Sequence, residues 1–217
     1  MDLRQQALVK QVKYTVESYL AQHPVAKIQL GCGGNLLDGW FNTDGQCDGW
    51  FHPDGFCLDA SQPFPIPNDT FDYVYSEHMI EHLDYWGGQR MLAECYRIAK
   101  PGAKVRITCP DFEFLIKLYI DAEDLDREYM TDTKPEWAPY VNPIFTINNY
   151  VRDWGHKFIY DKPTLAASLQ AAGFVDVVDF KIRESHDPVL QNLEADFRMK
   201  PGHLQLESMT LEAVKPV

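Results

Sequence analysis

The sequence predicts an α/β fold built on a mostly parallel, doubly wound sheet. Short apolar runs typical of strands alternate with segments of helical periodicity along the 217 residues, and this alternation is typical of βαβ units. A glycine-rich turn follows the first run, and an aspartate follows each of the next two. Because such a sheet binds its ligands at the carboxyl ends of its strands, functional residues are expected directly after the strands.

The first half of the chain supplies an opening helix and four predicted strands. Apolar residues recur at helical spacing over residues 3–20, and His23 with Pro24 ends that helix. The predicted strands are residues 27–30, 40–43, 55–58 and 71–76. Asp44 and Asp59 follow the second and third of them. Carboxylates are thus expected at two neighbouring strand ends.

The second half of the chain continues the alternation. Residues 86–99 are predicted to form a helix that a Lys-Pro-Gly turn ends, and residues 104–108 the fifth strand. Asp161 is predicted to cap a later helix that Gly173 closes. Two strand-like runs remain, at residues 174–182 and 204–214.

Residues 121–160 show no clear periodicity and are too long to be a passive connection. They carry the aromatic residues Tyr129, Trp137, Tyr140, Phe145, Tyr150, Trp154, Phe158 and Tyr160. Two interpretations are open: a lid or substrate-recognition insertion, and a helical extension packed on the core. We expect residues 1–217 to form a single domain, with the opening helix inside residues 1–24.

The charge of the chain argues against polyanionic partners. The formal net charge is −12, with 32 acidic residues against 20 Lys plus Arg, so neither a nucleic acid nor an anionic membrane surface is an expected partner. No apolar run approaches the roughly 18 residues of a membrane-spanning helix. The first residues lack the pattern of a secretory signal. A cytoplasmic location and a small-molecule or glycan substrate are therefore expected.

The five cysteines predict neither a disulfide framework nor a zinc ribbon, because their number is odd and none is spaced as CxxC. Reduced thiols are expected. Cys47, His52 and Cys57 share one loop, but three ligands fall short of the four that structural zinc takes. No metal is predicted there.

The turn at residues 30–35, Leu-Gly-Cys-Gly-Gly-Asn, suits the binding of a nucleoside. Glycines let the backbone approach a ligand, and Asp44 after the second strand can accept both ribose hydroxyls. Asp59 after the third strand can accept the amine of an adenine. Taken singly, each aspartate is equally well explained as a turn or cap residue.

Several motifs together resemble the class I S-adenosylmethionine-dependent methyltransferases, in the broad family that includes the ubiquinone and menaquinone C-methyltransferases. The similar segments are residues 28–35, 58–60, 71–82, 94–103 and 160–174, in the family's order. The resemblance implies an enzyme that uses S-adenosylmethionine as its cofactor. It also implies a Rossmann-like, three-layer α/β/α fold with a seven-stranded, mostly parallel sheet whose last strand is antiparallel. Gln29 and Asn35 depart from the motif, so altered cofactor contacts are expected.

The residues that this resemblance places against the cofactor are Gly31, Cys32, Gly33, Asp44, Asp59, Ala60 and Ser76. The glycine turn would lie against the methionyl group and the ribose. Asp44 would hold the ribose hydroxyls, and Asp59 with Ala60 the adenine. Ser76 and His78 would border the sulfonium and the acceptor.

Methyl transfer from a sulfonium is an in-line displacement, so the protein aligns donor and acceptor and adds a base only where the acceptor must lose a proton. The candidate bases are His78, His82, Asp111 and His156. His78 and His156 are the predicted catalytic residues, because histidine titrates near neutral pH and both are expected near the acceptor. His82 is expected to pack against its helix.

His78, Glu81 and His82 also form a His-x-x-Glu-His pattern. In the inverted metalloprotease pattern a further acidic ligand downstream completes the site. The surrounding strand-to-helix context argues against that chemistry here. No metal is predicted from this pattern either.

Two other functions are open. A nicotinamide-dependent oxidoreductase would use the glycine turn and the following acid equally well, although the turn lacks the full GxGxxG spacing and no Tyr-x-x-x-Lys pair follows the fifth strand. A scaffold that binds S-adenosylmethionine without catalysis is weakly supported by Gln29 and Asn35.

Overall fold

The computed structural model describes residues 16–45 and 56–217. Within them, one sheet has the strand order β3-β2-β1-β4-β5-β7-β6. The strands are β1 (Lys27–Leu30), β2 (Phe41–Asp44), β3 (Phe56–Cys57), β4 (Phe71–Glu77), β5 (Ala99–Pro110), β6 (Val175–Phe180) and β7 (Ser208–Val214). β1 to β5 pair in parallel, and β7 is antiparallel to both β5 and β6. The predicted fold class is confirmed.

The helices of the described residues are α1 (Tyr85–Ile98), α2 (Phe112–Ile120), α3 (Asp124–Asp132), α4 (Pro143–Arg152), α5 (Lys162–Ala172) and α6 (His203–Glu207). Residues 16–20 are helical as well, and the rest of the predicted opening helix lies outside the described residues. No helix in the described ranges combines the length and apolar character that crossing a membrane requires.

The main core lies between the sheet and the helices that cover it. Side chains from β1, β4 and β5 are fully buried, including Ile28, Leu30, Val74, Val105 and Ile107. Burial on both faces explains why these strands read as apolar runs.

Helix α5 begins and ends at the residues predicted. The Asp161 side chain accepts a hydrogen bond from the Thr164 backbone N–H at 2.9 Å. Gly173 closes the helix in the left-handed region, at φ 109°. A residue with a Cβ is strained in that conformation, so the sequence signal has a direct physical cause.

Most predicted boundaries differ from the structure by one or two residues, and two of them differ by more. Residues 204–207 belong to helix α6, and β7 begins only at Ser208. β5 starts at Ala99, so the Lys-Pro-Gly segment predicted as a turn lies within the strand. Short apolar runs do not separate a buried helix from a strand, and this ambiguity accounts for the first error.

Residues 121–160 contain helices α3 and α4, which share a second apolar cluster with α2. The cluster is formed by Phe114, Leu115, Leu118, Tyr129, Met130 and Tyr150. A helical extension with its own buried contacts thus follows the fifth strand. The role of this segment as a lid stays a prediction.

The cysteines differ from the expectation at one position. Cys32, Cys95 and Cys109 are free and buried, whereas Cys57 is in a disulfide bond. The prediction of reduced thiols is therefore wrong for Cys57. Neither the odd number of cysteines nor their spacing indicates which of them forms a disulfide bond. Cys47 and His52, the other members of the suggested metal loop, lie outside the described residues.

Candidate functional site

A cavity of about 530 Å³ opens at the carboxyl ends of β1 to β4. Seven residues predicted from the sequence line it together: Gly31, Cys32, Gly33, Asp44, Asp59, Ala60 and His78. Its volume falls in the range of about 300–1,000 Å³ that is typical of small-molecule sites. The predicted residues are distant in sequence, and the strand ends bring them to one place.

The glycine turn approaches the cavity closely because two of its residues have left-handed backbone. Gly31 has φ 68° and Gly33 has φ 48°. A Cβ at Gly31 would overlap the Met79 side chain, which also lines the cavity. The Cys32 backbone N–H donates to the Thr43 carbonyl oxygen at 2.9 Å and ties the turn to β2.

Asp44 and Asp59 hold the loops around the cavity as well as lining it. Asp44 Oδ2 accepts the Gly33 backbone N–H at 2.9 Å, and this bond links the end of β2 to the turn after β1. Asp59 Oδ1 accepts the Ser61 backbone N–H at 2.9 Å and its hydroxyl at 2.6 Å. Asp59 is therefore a turn residue, as one of the two interpretations predicted, and it also lines the cavity.

Ser76 is placed differently from the other predicted residues. Its side chain is 1% exposed and is not among those that line the cavity. Side chains alternate along a strand, so the next residue, Glu77, points to the opposite face and reaches the cavity.

Glu77 and Arg198 were missed in the sequence and lie in the cavity wall. Arg198 donates to Glu77 Oε1 at 2.6 Å, and the Ala195 backbone N–H donates to the same carboxylate at 3.0 Å. Burial raises the pKa of Glu77, and the Arg198 guanidinium opposes that change. Glu77 directly follows a predicted strand and could have been found; nothing in the sequence around Arg198 indicates its place.

His78 sits at the end of β4 with an unusual backbone, at φ 46°. Non-glycine residues in this region cluster at functional sites, where the surrounding fold compensates the strain. His78 Nε2 lies 2.7 Å from Ser208 Oγ, and Nδ1 lies 3.5 Å from Glu81 Oε1. Burial lowers the pKa of His78 to about 3, so its ring is neutral.

Glu81 is a buried acid beside the cavity. It is 1% exposed, and neither of its carboxylate oxygens has a hydrogen-bond partner. Burial raises the pKa of Glu81 to about 8. Its carbonyl oxygen accepts the Lys157 and Phe158 backbone N–H groups at 2.8 and 3.2 Å. This contact joins the segment after β4 to the segment after α4.

The remaining candidate bases occupy three different settings. His82 was expected to pack against its helix, yet its side chain is 41% exposed and lines the cavity. His156 does not line the cavity, although its neighbours Trp154 and Gly155 do. Asp111 is the N-cap of α2, where it accepts the Glu113 backbone N–H at 2.9 Å, and it lies away from the cavity.

Although His156 does not line the cavity, its ring lies beside that of His82, which does. The two rings lie 5.2 Å apart between centroids. His156 Nδ1 lies 2.6 Å from the Tyr150 carbonyl oxygen, which can only accept a hydrogen bond. Burial lowers the pKa of His156, so the neutral ring carries its proton on Nδ1 and leaves Nε2 unprotonated.

The chain is similar in sequence to one family. Residues 37–107, the part that contains Asp44, Asp59, Ser76 and His78, match the model of a family described as a methyltransferase domain. No curated protein matches the chain by sequence similarity.

Solved structures with a similar fold include a SAM-dependent methyltransferase from Archaeoglobus fulgidus, at 20% identity and a TM-score of 0.54, over 95% of this chain and 94% of the other. A SAM-dependent methyltransferase from Thermotoga maritima has 16% identity and a TM-score of 0.52, over 95% and 94%. A chain from a Haloferax volcanii complex of the Trm112 methyltransferase activator with a methyltransferase has 15% identity and a TM-score of 0.51, over 100% and 95%. At these identities the similarity concerns the fold.

Proposed function

We propose that the chain, whose residues 37–107 match a methyltransferase domain and whose fold is that of S-adenosylmethionine-dependent methyltransferases, transfers a methyl group from S-adenosylmethionine to a small-molecule or glycan acceptor. One observation carries the proposal: the glycine turn, Asp44 and Asp59 meet at one cavity at the carboxyl edge of the sheet. That edge is where doubly wound sheets bind nucleotides.

The proposed cofactor position follows from these contacts. Gly31, Cys32 and Gly33 would lie against the methionyl group and the ribose. Asp44 would accept the ribose hydroxyls, and Asp59 with Ala60 would face the adenine. We keep Ser76 as a supporting residue, since its side chain is buried and does not line the cavity.

The charge of the wall suits a cationic cofactor. Among the described lining residues, Asp44, Asp59 and Glu77 are acidic, and Arg198 is a permanent cation already paired with Glu77. A sulfonium is stabilised by nearby carboxylates, and the neutral ring of His78 adds no repulsion. The same field would repel a polyanionic acceptor.

In the proposed reaction a lone pair of the acceptor attacks the methyl carbon. The carbon–sulfur bond breaks, its electron pair goes to sulfur, and S-adenosylhomocysteine forms. An oxygen or nitrogen acceptor also loses a proton. His78 lines the cavity and ranks first, as the group that positions the acceptor, because a pKa of about 3 makes its ring a weak base. His156 ranks second, because it reaches the site only behind His82, and it is the candidate that accepts the proton.

We expect Asp44→Ala to weaken S-adenosylhomocysteine binding by about tenfold or more. The change removes the proposed ribose contact and also the hydrogen bond that orders the Gly33 backbone. Calorimetry with S-adenosylmethionine, S-adenosylhomocysteine and NAD measures it. Asp38→Ala is the matched control, because Asp38 is an exposed acid near the same turn that does not line the cavity.

Three results would count against the proposal. Binding of NAD without binding of S-adenosylhomocysteine would replace the methyltransferase function with the oxidoreductase alternative. An Asp44→Ala variant with wild-type affinity would remove Asp44 from the site. Tight cofactor binding without transfer to any acceptor would favour the catalytically inactive scaffold.

We further propose that residues 121–160 close over the acceptor. Trp154 and Gly155 support this, because they are the part of the segment that reaches the cavity and both have left-handed backbone, at φ 56° and 79°. Hydrogen exchange should slow within residues 121–160, most of all at residues 153–158, when S-adenosylhomocysteine and an acceptor are added together. Equal exchange with and without the ligand would make the segment purely structural.

A further inference from the structure

Glu81, His82 and His156 form a cluster of metal-ligand type at the edge of the cavity. One carboxylate oxygen and one nitrogen from each ring lie within 4.8 Å of one another. We propose that these three side chains bind a divalent transition-metal ion, with zinc as the best match. The His-x-x-Glu-His spacing supplies two of the ligands, and the third comes from the segment after α4.

The donor set selects the class of ion. Two imidazoles and one carboxylate form the ligand set of catalytic zinc sites and of non-haem iron sites, both of which keep an open coordination position. Magnesium and calcium prefer oxygen ligands throughout. The cluster is therefore specific for a borderline transition metal rather than for the abundant hard cations.

Glu81 provides a second, independent observation. A carboxylate that is 1% exposed with no hydrogen-bond partner on either oxygen is costly to bury. Two imidazole nitrogens lie near its Oε1 atom, His78 Nδ1 at 3.5 Å and His82 Nε2 at 4.0 Å. A bound cation would supply the missing partner.

His156 is prepared for the role by its hydrogen bond. The proton on Nδ1 is fixed by the Tyr150 carbonyl oxygen at 2.6 Å, which leaves the Nε2 lone pair for a ligand. Histidines that bind metals almost always donate their other ring N–H in this way, and the bond sets both the tautomer and the ring orientation.

The backbone holds the two ligand-bearing segments together. The Glu81 carbonyl oxygen accepts the Lys157 and Phe158 N–H groups, next to His156. A Cβ at Gly155 would lie 3.4 Å from His82 Nδ1, so the loop passes directly over that ring. Metal–nitrogen bonds of about 2.0–2.1 Å would draw the ligand atoms closer together than the 4.8 Å within which they lie in this structure.

The position of the cluster suggests what the ion would do, and this step rests on the proposed function. His82 lines the cavity beside Trp154 and Gly155, so the fourth coordination position would face the acceptor. An acceptor hydroxyl bound there would have a lowered pKa and would be held in place. The acceptor class that fits is one with an oxygen donor.

A second group of ligand type, Glu128, Asp132 and His203, is less suitable. Lys200 Nζ already lies 3.7 Å from Glu128 and 2.7 Å from Asp132. An ion there would compete with an ammonium group. Asp132→Asn therefore serves as a control for the experiment below.

The test is metal binding by the full chain after removal of metals with a chelator. We expect one equivalent of zinc against a chromophoric competitor, a visible absorption band with cobalt(II), and no response to magnesium. His82→Ala and His156→Ala should each lower zinc affinity by more than the roughly 10–100-fold typical of outer-shell changes. His186→Ala, which changes an exposed histidine outside the cluster, and Asp132→Asn should bind as wild type.

The proposal is overturned if the wild type binds neither zinc nor cobalt, or if both histidine variants bind as tightly as wild type. Circular dichroism of each variant separates loss of ligand from loss of fold, and His82, which is partly exposed, is the safer substitution. Calorimetry with S-adenosylhomocysteine on the metal-free protein tests the cofactor proposal separately. Asp44→Ala should keep the metal and lose the cofactor, so the two failures are distinguishable.

Discussion

Replacing His78 with asparagine is expected to lower the rate of methyl transfer by about 10²-fold, because the acceptor loses a positioning contact, while S-adenosylhomocysteine affinity is unchanged. His78 lines the cavity, and its ring lies between Ser208 Oγ and Glu81 Oε1. Asparagine is the chosen replacement because it tolerates the left-handed backbone at φ 46°. A backbone effect is thereby separated from loss of the ring.

The measurement is S-adenosylhomocysteine release with an acceptor found by screening hydroxyl- and amine-bearing metabolites. His156→Asn is expected to have the smaller effect, because His156 does not line the cavity. His186→Asn is the control for a general histidine effect. Wild-type turnover in both the His78 and the His156 variants would leave alignment alone to explain the chemistry.

Replacing Arg106 with leucine is expected to cost about 3–5 kcal/mol of the free energy of unfolding. Arg106 is fully buried in β5, where it donates to Glu194 at 2.7 Å and to Glu212 at 2.6 Å. Leucine removes the cation and leaves two carboxylates that are themselves buried. An uncompensated buried charge is far more costly than the loss of an exposed pair.

Denaturant unfolding measures this loss, with Arg183→Leu as the matched control. Arg183 pairs with Asp196, and both side chains are more than one third exposed, so the control is expected to lose about 1 kcal/mol or less. Similar losses in the two variants would show that the buried triad contributes no more than a surface ion pair.

The cofactor side of the candidate site was predictable because its signals are local. Gly31 directly follows β1, Asp44 is the last residue of β2, and Asp59 lies two residues after β3. Parallel strands end at a common edge, so these residues meet there. The resemblance to class I methyltransferases rested on these positions, and the matched methyltransferase domain and the fold confirm it. The match does not single out the ubiquinone and menaquinone C-methyltransferases within that class.

The acceptor side was not predictable because its contacts join distant segments. His156 meets Glu81 through backbone hydrogen bonds at Lys157 and Phe158, which no periodicity reveals. Arg198 reaches Glu77 from the segment before α6. The spacing of His78, Glu81 and His82 in the sequence does not indicate that His156 lies beside Glu81 and His82 in the fold.

In the sheet β7 lies between β5 and β6, although it is the last strand in the chain. The ribosome therefore synthesises β6 before the strand with which it pairs. Residues 175–180 leave the ribosome before residues 208–214, so β6 has no pairing partner until β7 has been synthesised. Glu212, one partner of Arg106, arrives on that same strand. We therefore expect a nascent chain halted before residue 208 to expose a sheet edge along β5 and to depend on chaperones until synthesis resumes.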